Sequence, residues 1–237
     1  MRPLGHKAYG SIPHLPGSKR GPGDHGLDPQ QAAILTGERK VGKDWQIVVQ
    51  EKLDGSCVSV AKIGGEIVAL GRAGYLAETA PQEHVRLFAA WVADRRDRFA
   101  ALLSEGERVV GEWMLLATGI RYWIASADDL FVAFDLMRGH DRALPNAVVE
   151  RCHNVALRPA FALSMFQERP ESAHWLACVE STFRAECQPE GVVYRAIRNG
   201  QAAFVGKWVR PDFEPGRYLG QDVYNYPPQW LRRPEAA

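Results

Sequence analysis

From Cys57 to Ile63 the chain reads as an alternating strand, and after the pair Gly64-Gly65 an apolar strand resumes from Ile67 to Leu70. A two-residue glycine turn supplies the positive φ angles of a tight hairpin, so these strands must be antiparallel neighbours. The pattern repeats near the other end, where Gly191–Ile197 and Ala202–Val209 flank Asn199-Gly200. Trp45–Val49, Arg108–Leu116 and Leu130–Met137 read as further strands. Pro81 opens a helical stretch whose apolar face (Val85, Phe88, Val92, Phe99, Leu102) continues to Gly106, and helices are expected near 147–156 and 173–184. Strands that arrive as hairpins rather than in βαβ alternation predict an α+β fold of antiparallel sheets flanked by helices.

The organisation follows from composition. Residues 1–40 are dense in Gly and Pro and read as a loop-rich lead-in; 41–213 form the main domain; 214–237 make a short aromatic and proline-rich tail, in which Tyr218, Tyr224, Tyr226 and Trp230 dock onto the domain. With 46% hydrophobic residues in 237, the chain can build a sizeable core. No apolar run approaches the roughly 18 residues of a membrane span, and the N-terminus lacks a signal-peptide core. Four scattered cysteines point to reduced thiols and a cytoplasmic setting. The net charge of +1 means that a polyanion must be held by local patches.

Chemistry concentrates at Glu51-Lys52-Leu53-Asp54-Gly55, at the end of one expected strand and the start of the next. A lysine nucleophile must be neutral, and with a reference pKa of about 10.4 fewer than about one in a thousand is neutral near pH 7. A nearby cation, a metal or desolvation must therefore depress it. Taken alone, Lys52 reads equally well as a surface lysine before an Asp-Gly turn, Phe134 as a core phenylalanine, Glu112 and Glu190 as solvated strand-end acids, and Arg72 as a surface arginine. Arg95, Arg96 and Arg98 form the wet face of the long helix or a phosphate patch. His6, His14 and His25 are loop histidines with no metal-ligand spacing.

The order Lys52-x-Asp-Gly, Arg72, Gly111-Glu112-Trp113, Phe134-Asp135, Glu190-Gly191-Val192-Val193 and Lys207 resembles the motif series of the covalent nucleotidyltransferase superfamily, the ATP-dependent RNA and DNA ligases and capping enzymes. The form Glu51-Lys52, the Gly-Glu-Trp strand, Ile120-Arg121-Tyr122 and the Phe-Asp strand are most similar to RNA ligases of the RNA ligase 2-like type. The likeness runs from about residue 7 to 213.

The resemblance implies an ATP-grasp-like nucleotidyltransferase domain of antiparallel sheets, without a C-terminal OB domain, because only about thirty residues follow Lys207. It implies that Lys52 attacks ATP and holds AMP as a phosphoamide, that Arg72 and Lys207 neutralise the phosphates, and that Glu190 takes Mg2+ or Mn2+. Phe134 would stack on adenine, Glu112 would accept from the ribose and Glu51 would help read the base. Lys207 is also expected to repel the Lys52 proton. The implied partner is RNA with 5′-phosphate and 3′-hydroxyl ends, with DNA or a hybrid as alternatives and a protein partner to supply grip. A DNA ligase core, a capping enzyme and a non-catalytic nucleotide-binding module are the rival readings. Two departures stand out: one lysine, followed by Arg210, occupies a motif that usually shows two, and Gly119 stands where related ligases often carry histidine.

Overall fold

The computed structural model describes residues 1–164 and 182–231. Helix α1 (Pro29–Leu35) starts where the Asp28 carboxylate accepts hydrogen bonds from the amides of Gln30 and Gln31, with proline at its first position. Strands β1 (Trp45–Lys52), β2 (Ser56–Ile63) and β3 (Glu66–Gly71) follow, then α2 (Glu83–Ala93), α3 (Arg96–Leu102), β4 (Glu107–Trp113), β5 (Phe131–Arg138), the short β6 (Asp141–Arg142), α4 (Pro145–His153), β7 (Arg158–Pro159), β8 (Ala162–Ser164), β9 (Gly191–Arg198) and β10 (Gln201–Val209). Both expected hairpin turns form. Gly64-Gly65 and Asn199-Gly200 all have positive φ.

The strands build two sheets, one ordered β10-β9-β1-β8 and one ordered β3-β2-β4-β5-β6, in which every pair is antiparallel except the parallel contact of β7 with β5. β1 and β2 are consecutive in the chain but belong to different sheets. The passage between them, Leu53-Asp54-Gly55, is therefore a crossing and not a hairpin.

One core lies between the larger sheet and α2 and α3. Phe88, Trp91, Phe99, Trp113 and Phe131 are each at most 1% exposed and meet ring to ring, Phe88 with Trp113 at 5.3 Å and Trp91 with Trp113 at 5.5 Å. Each such burial stabilises the fold by about 1.5–3 kcal/mol. A second core joins Leu15, Ile34 and Leu35 of the lead-in to Ile47, Val49, Tyr194 and Trp208 of the smaller sheet. Turn-former density hid α1 in a stretch expected to be loop.

The single helix expected from Pro81 to Gly106 is two helices, broken at Asp94-Arg95. Arg95 leaves helical geometry (φ −118°, ψ 19°), lies 4.4 Å over the Trp91 ring and pairs with Asp128 at 2.8 Å. Arg98 joins the same carboxylate at 3.3 Å and Arg96 pairs with Glu66. The arginine face is thus spent on ion pairs within the chain. The helical stretch expected near 173–184 falls largely outside the described residues. Tail residues dock on the domain: the Ala117 amide donates to the Val223 carbonyl and the Tyr122 amide to Asn225 Oδ1. Tyr226 is buried there, whereas Trp230 is 67% exposed. Among the described residues, no helix is long and apolar enough to cross a membrane.

Candidate active site

Lys52 ends β1 at the point where the two sheets meet. Its strand partner is Gly191, so the register places Glu190, the residue just before β9, beside it. Lys52 Nζ donates to Glu190 Oε2 at 2.6 Å. Only glycine fits at 191, because a Cβ there would sit 1.9 Å from the Trp208 carbonyl oxygen. On the other side, β2 pairs with β4 so that Cys57 faces Glu112. Glu112 Oε1 accepts from the Gly55 amide at 3.2 Å, and a Cβ on Gly55 would lie 2.7 Å from the Trp113 carbonyl oxygen. The glycine of the motif is thus demanded by backbone approach.

Asp54 anchors this crossing. Its Oδ2 accepts from the amides of Gly119 at 2.6 Å and Ile120 at 2.8 Å, and its own amide donates to the Tyr122 hydroxyl at 3.2 Å. Gly119 itself is packed so that a Cβ would meet the Phe213 ring at 2.6 Å and the Glu214 carbonyl at 2.7 Å. A histidine cannot be accommodated there without moving the tail.

The electrostatics run against the expectation that a nearby cation or desolvation depresses the Lys52 pKa. Burial alone would lower the Lys52 pKa, but the carboxylates of Glu190, Glu112 and Asp54 outweigh it and hold the amine protonated, above the ordinary lysine value. Burial raises the Glu190 pKa against the pull of Lys52. Burial pushes Glu112 up to about 7. Lys207 moves the opposite way, lowered by burial and then by the charge of Lys52.

A cavity of about 300 Å³ opens over Lys52, lined by Glu51, Arg72, Glu112, Phe134 and Lys207, together with Tyr9, Gln50, Val132 and Arg195. All seven residues singled out from the sequence therefore gather at one site: six line the cavity, Lys52 among them, and Glu190 completes the set through its ion pair with Lys52. Phe134 is half-buried, with the Tyr9 ring edge-on at 5.3 Å. Glu51 Oε2 accepts from the Thr182 amide at 2.7 Å. Arg72 is exposed at the mouth, with Nη2 3.4 Å from the Gly10 carbonyl and from Ser11 Oγ. Lys207 is held by the lead-in: its amide donates to the Pro13 carbonyl, its carbonyl accepts from the Leu15 amide, and its ammonium lies 3.8 Å from Asp24. His14 sits beside it, buried, its pKa lowered to about 4 by burial and then by Lys207.

Arg210 has a different task. Its amide donates to the Glu190 carbonyl, its Nε to the Pro189 carbonyl and its Nη1 to Asp212. It clamps the backbone behind Glu190.

Beneath the cavity runs a buried polar bridge between the sheets. Arg195 of β9 pairs with Asp135 of β5 at 2.6 Å and donates to Gln50 of β1, while Asp135 also accepts from the Tyr9 hydroxyl at 2.6 Å. Sequence reading gives Gln50, Arg195 and Tyr9 no role. A signal is present at Arg195, a charge set between the apolar stretches of β9, whereas Gln50 is masked by the polar residues Glu51 and Lys52 that follow it.

Among the described residues, no group of three or more His, Cys, Asp or Glu side chains is arranged to cage a metal ion. Magnesium and manganese suit a sparser set: Mg2+ usually takes one or two carboxylates and completes its shell with water and substrate phosphates. Glu190, buried against Lys52 at the edge of the cavity, is a single carboxylate of that kind.

Structures of Naegleria gruberi RNA ligase share this fold. A mutant with AMP and Mn superposes with a TM-score of 0.52 at 16% identity, over 86% of this chain and 61% of that one. Another mutant, with ATP and Mn, gives 0.52 at 16% identity over 84% and 59%. The chain thus spans less than two thirds of the length of these relatives. No curated protein sequence matches it. The model of the RNA ligase family matches residues 46–209, from β1 through the last residue of β10. That span carries all seven site residues, with the segment 51–55 near its start, and on it the chain belongs to the RNA ligase family.

Proposed function

We propose that this chain is an ATP-dependent RNA ligase that forms a lysyl-AMP intermediate on Lys52. The observation that carries the reading is the 2.6 Å ion pair of Lys52 with Glu190, made by a lysine that lines a cavity shared with two aromatic rings, two further acids and three further cations.

Each residue has a task set by its position. Phe134 offers its ring to adenine, with Tyr9 bracing it. Glu112 accepts from the ribose, and Glu51, fixed by Thr182, stands at the base end of the cavity. Arg72 and Lys207 counter the charge that builds on pyrophosphate as it leaves. Lys52 must lose its proton before its lone pair can reach phosphorus. The Glu190 carboxylate is the acceptor in reach, and its affinity for a proton is raised by burial. The new N–P bond to the α-phosphorus forms as the bond to the bridging oxygen of pyrophosphate breaks. AMP then passes to a 5′-phosphate RNA end, and a 3′-hydroxyl attacks that phosphate and displaces AMP. Mg2+ or Mn2+ held at Glu190 would supply further neutralisation of the phosphate oxygens.

Incubation with ATP labelled at the α-phosphate, in Mg2+ or Mn2+, followed by denaturing electrophoresis, tests the reading. Label should stay on the native chain and vanish in Lys52→Ala. Absence of label on the native chain, with ATP still bound, would favour a non-catalytic nucleotide-binding module. Sealing of nicked duplexes with RNA or DNA at the 3′-hydroxyl side then separates an RNA ligase from a DNA ligase core.

A further inference from the structure

The tie from Asp54 to Gly119 and Ile120 has an outer end. Residues 121–123 leave the nucleophile crossing as an extended ribbon paired antiparallel with 184–186: the Trp123 amide donates to the Arg184 carbonyl at 2.9 Å and the Glu186 amide to the Arg121 carbonyl at 3.0 Å. Alternation along the ribbon buries Tyr122, whose hydroxyl accepts from the Asp54 amide, and turns Arg121 and Trp123 outward. Trp123 is 45% exposed. Guanidinium carbons of Arg121 and Arg184 stand 5.9 Å and 5.2 Å from its ring centroid.

An indole is left open to solvent here, and two like charges stand over its ring. Arg217 adds a third guanidinium beside the Tyr218 ring at 5.4 Å. Glu186 is the acid of the ribbon, and it is already engaged by the Tyr218 hydroxyl at 2.7 Å and by Arg217 at 3.8 Å. The patch is therefore an aromatic platform in a positive field. Single-stranded nucleic acid suits it, because every base has a π-face to stack while the flanking phosphates meet arginines. A duplex keeps its bases stacked inside and offers none to the ring.

We infer that Arg121, Trp123 and Arg184 form a docking platform for single-stranded RNA beside the nucleophile. Trp123 stacks on a base near the end being joined, and the two arginines hold the phosphates on either side. The inference rests on the ligase reading for the identity of the strand, and its test does not depend on catalysis.

The experiment measures fluorescence anisotropy of a labelled, 5′-phosphorylated single-stranded oligoribonucleotide, without ATP, across a range of salt. Trp123→Ala should weaken binding on the order of tenfold, and Trp123→Phe should recover most of it. Arg121→Gln combined with Arg184→Gln should flatten the dependence of log affinity on log salt by about 0.7 for each phosphate that is no longer neutralised. Self-adenylylation by ATP should be unchanged in all three variants, which also shows that they fold. RNA affinity and salt slope equal to those of the native chain would overturn the platform. Loss of self-adenylylation in the native chain would instead count against the ligase reading alone, since RNA binding is measured separately.

Discussion

Lys52 and Glu190 are 138 residues apart in the chain and 2.6 Å apart in the fold. Each lies at the end of a strand, β1 for the lysine and the entry to β9 for the glutamate, and the antiparallel pairing of those strands sets the distance. The pair is partly screened, with the lysine side chain 23% and the glutamate 9% exposed. Its consequence is a Lys52 amine that is charged at rest, so in the proposed reaction its activation is a proton-transfer problem that ligand binding has to solve.

Competitive acetylation read by mass spectrometry should show this directly. In the native protein without nucleotide, Lys52 should resist modification up to a higher pH than exposed lysines such as Lys40 or Lys43. In Glu190→Gln the profile should move down by about one pH unit or more, since an opposite charge at this range is worth about 1–3 units. A profile that does not move would show that Glu112 and Asp54 hold the proton without Glu190.

Asp54 secures two amides at 2.6 Å and 2.8 Å. Asp54→Ala leaves both donors without that partner and should cost about 1–3 kcal/mol in urea unfolding, with a loss of self-adenylylation as the crossing loosens. Asp54→Asn keeps a carbonyl oxygen for the same amides and should recover most of the stability.

Glu112 gives a pH signature. Its pKa in the folded chain is raised by burial to about 7 from 4.5, so the folded state binds the proton more tightly than the unfolded one. Its contribution to stability is present below pH 4.5 and is lost as pH rises toward 7. Glu112→Gln keeps an oxygen for the Gly55 amide and carries no charge. Its thermal midpoint should exceed that of the native chain above pH 7, by a stability gain on the order of 1–3 kcal/mol. The difference should close toward pH 4.5. An equal gap at both pH values would assign the effect to packing.

Phe134 and Lys207 should separate binding from chemistry. Phe134→Ala removes the half-buried ring over the cavity and should weaken ATP binding about tenfold while Lys52 keeps its reactivity. Lys207→Ala should cost about a hundredfold in the rate of lysyl-AMP formation, with a smaller change in ATP affinity, because its charge matters most as pyrophosphate departs. Isothermal titration with Lys52→Ala as background, beside single-turnover labelling, distinguishes the two.

Local rules are legible at residues whose conformation is decided by their immediate neighbours. Gly64-Gly65 and Asn199-Gly200 can turn a chain in few ways, so both hairpins and the strands beside them follow from the sequence. The helix break at Arg95 is not legible, because the partner that Arg95 meets there, Asp128, is 33 residues away. The Glu-Lys-x-Asp-Gly string singles out Lys52 and brings Asp54 with it, but the charge state of the lysine also depends on Glu112 and Glu190, delivered by distant segments. Arg210 reads from its spacing as a stand-in for a lysine, whereas in the fold its donors are taken by Pro189 and Asp212.

Sequence by itself determined the hairpins, the antiparallel sheets and the set of residue types able to handle a nucleotide, since alternation and turn chemistry act over a few residues. Tertiary structure alone decided that β1 and β2 part into different sheets, and so that Lys52 faces Glu190, Glu112 and Asp54 together. Coulomb interaction depends on separation in space and on burial, and neither is written in the spacing of residues along the chain.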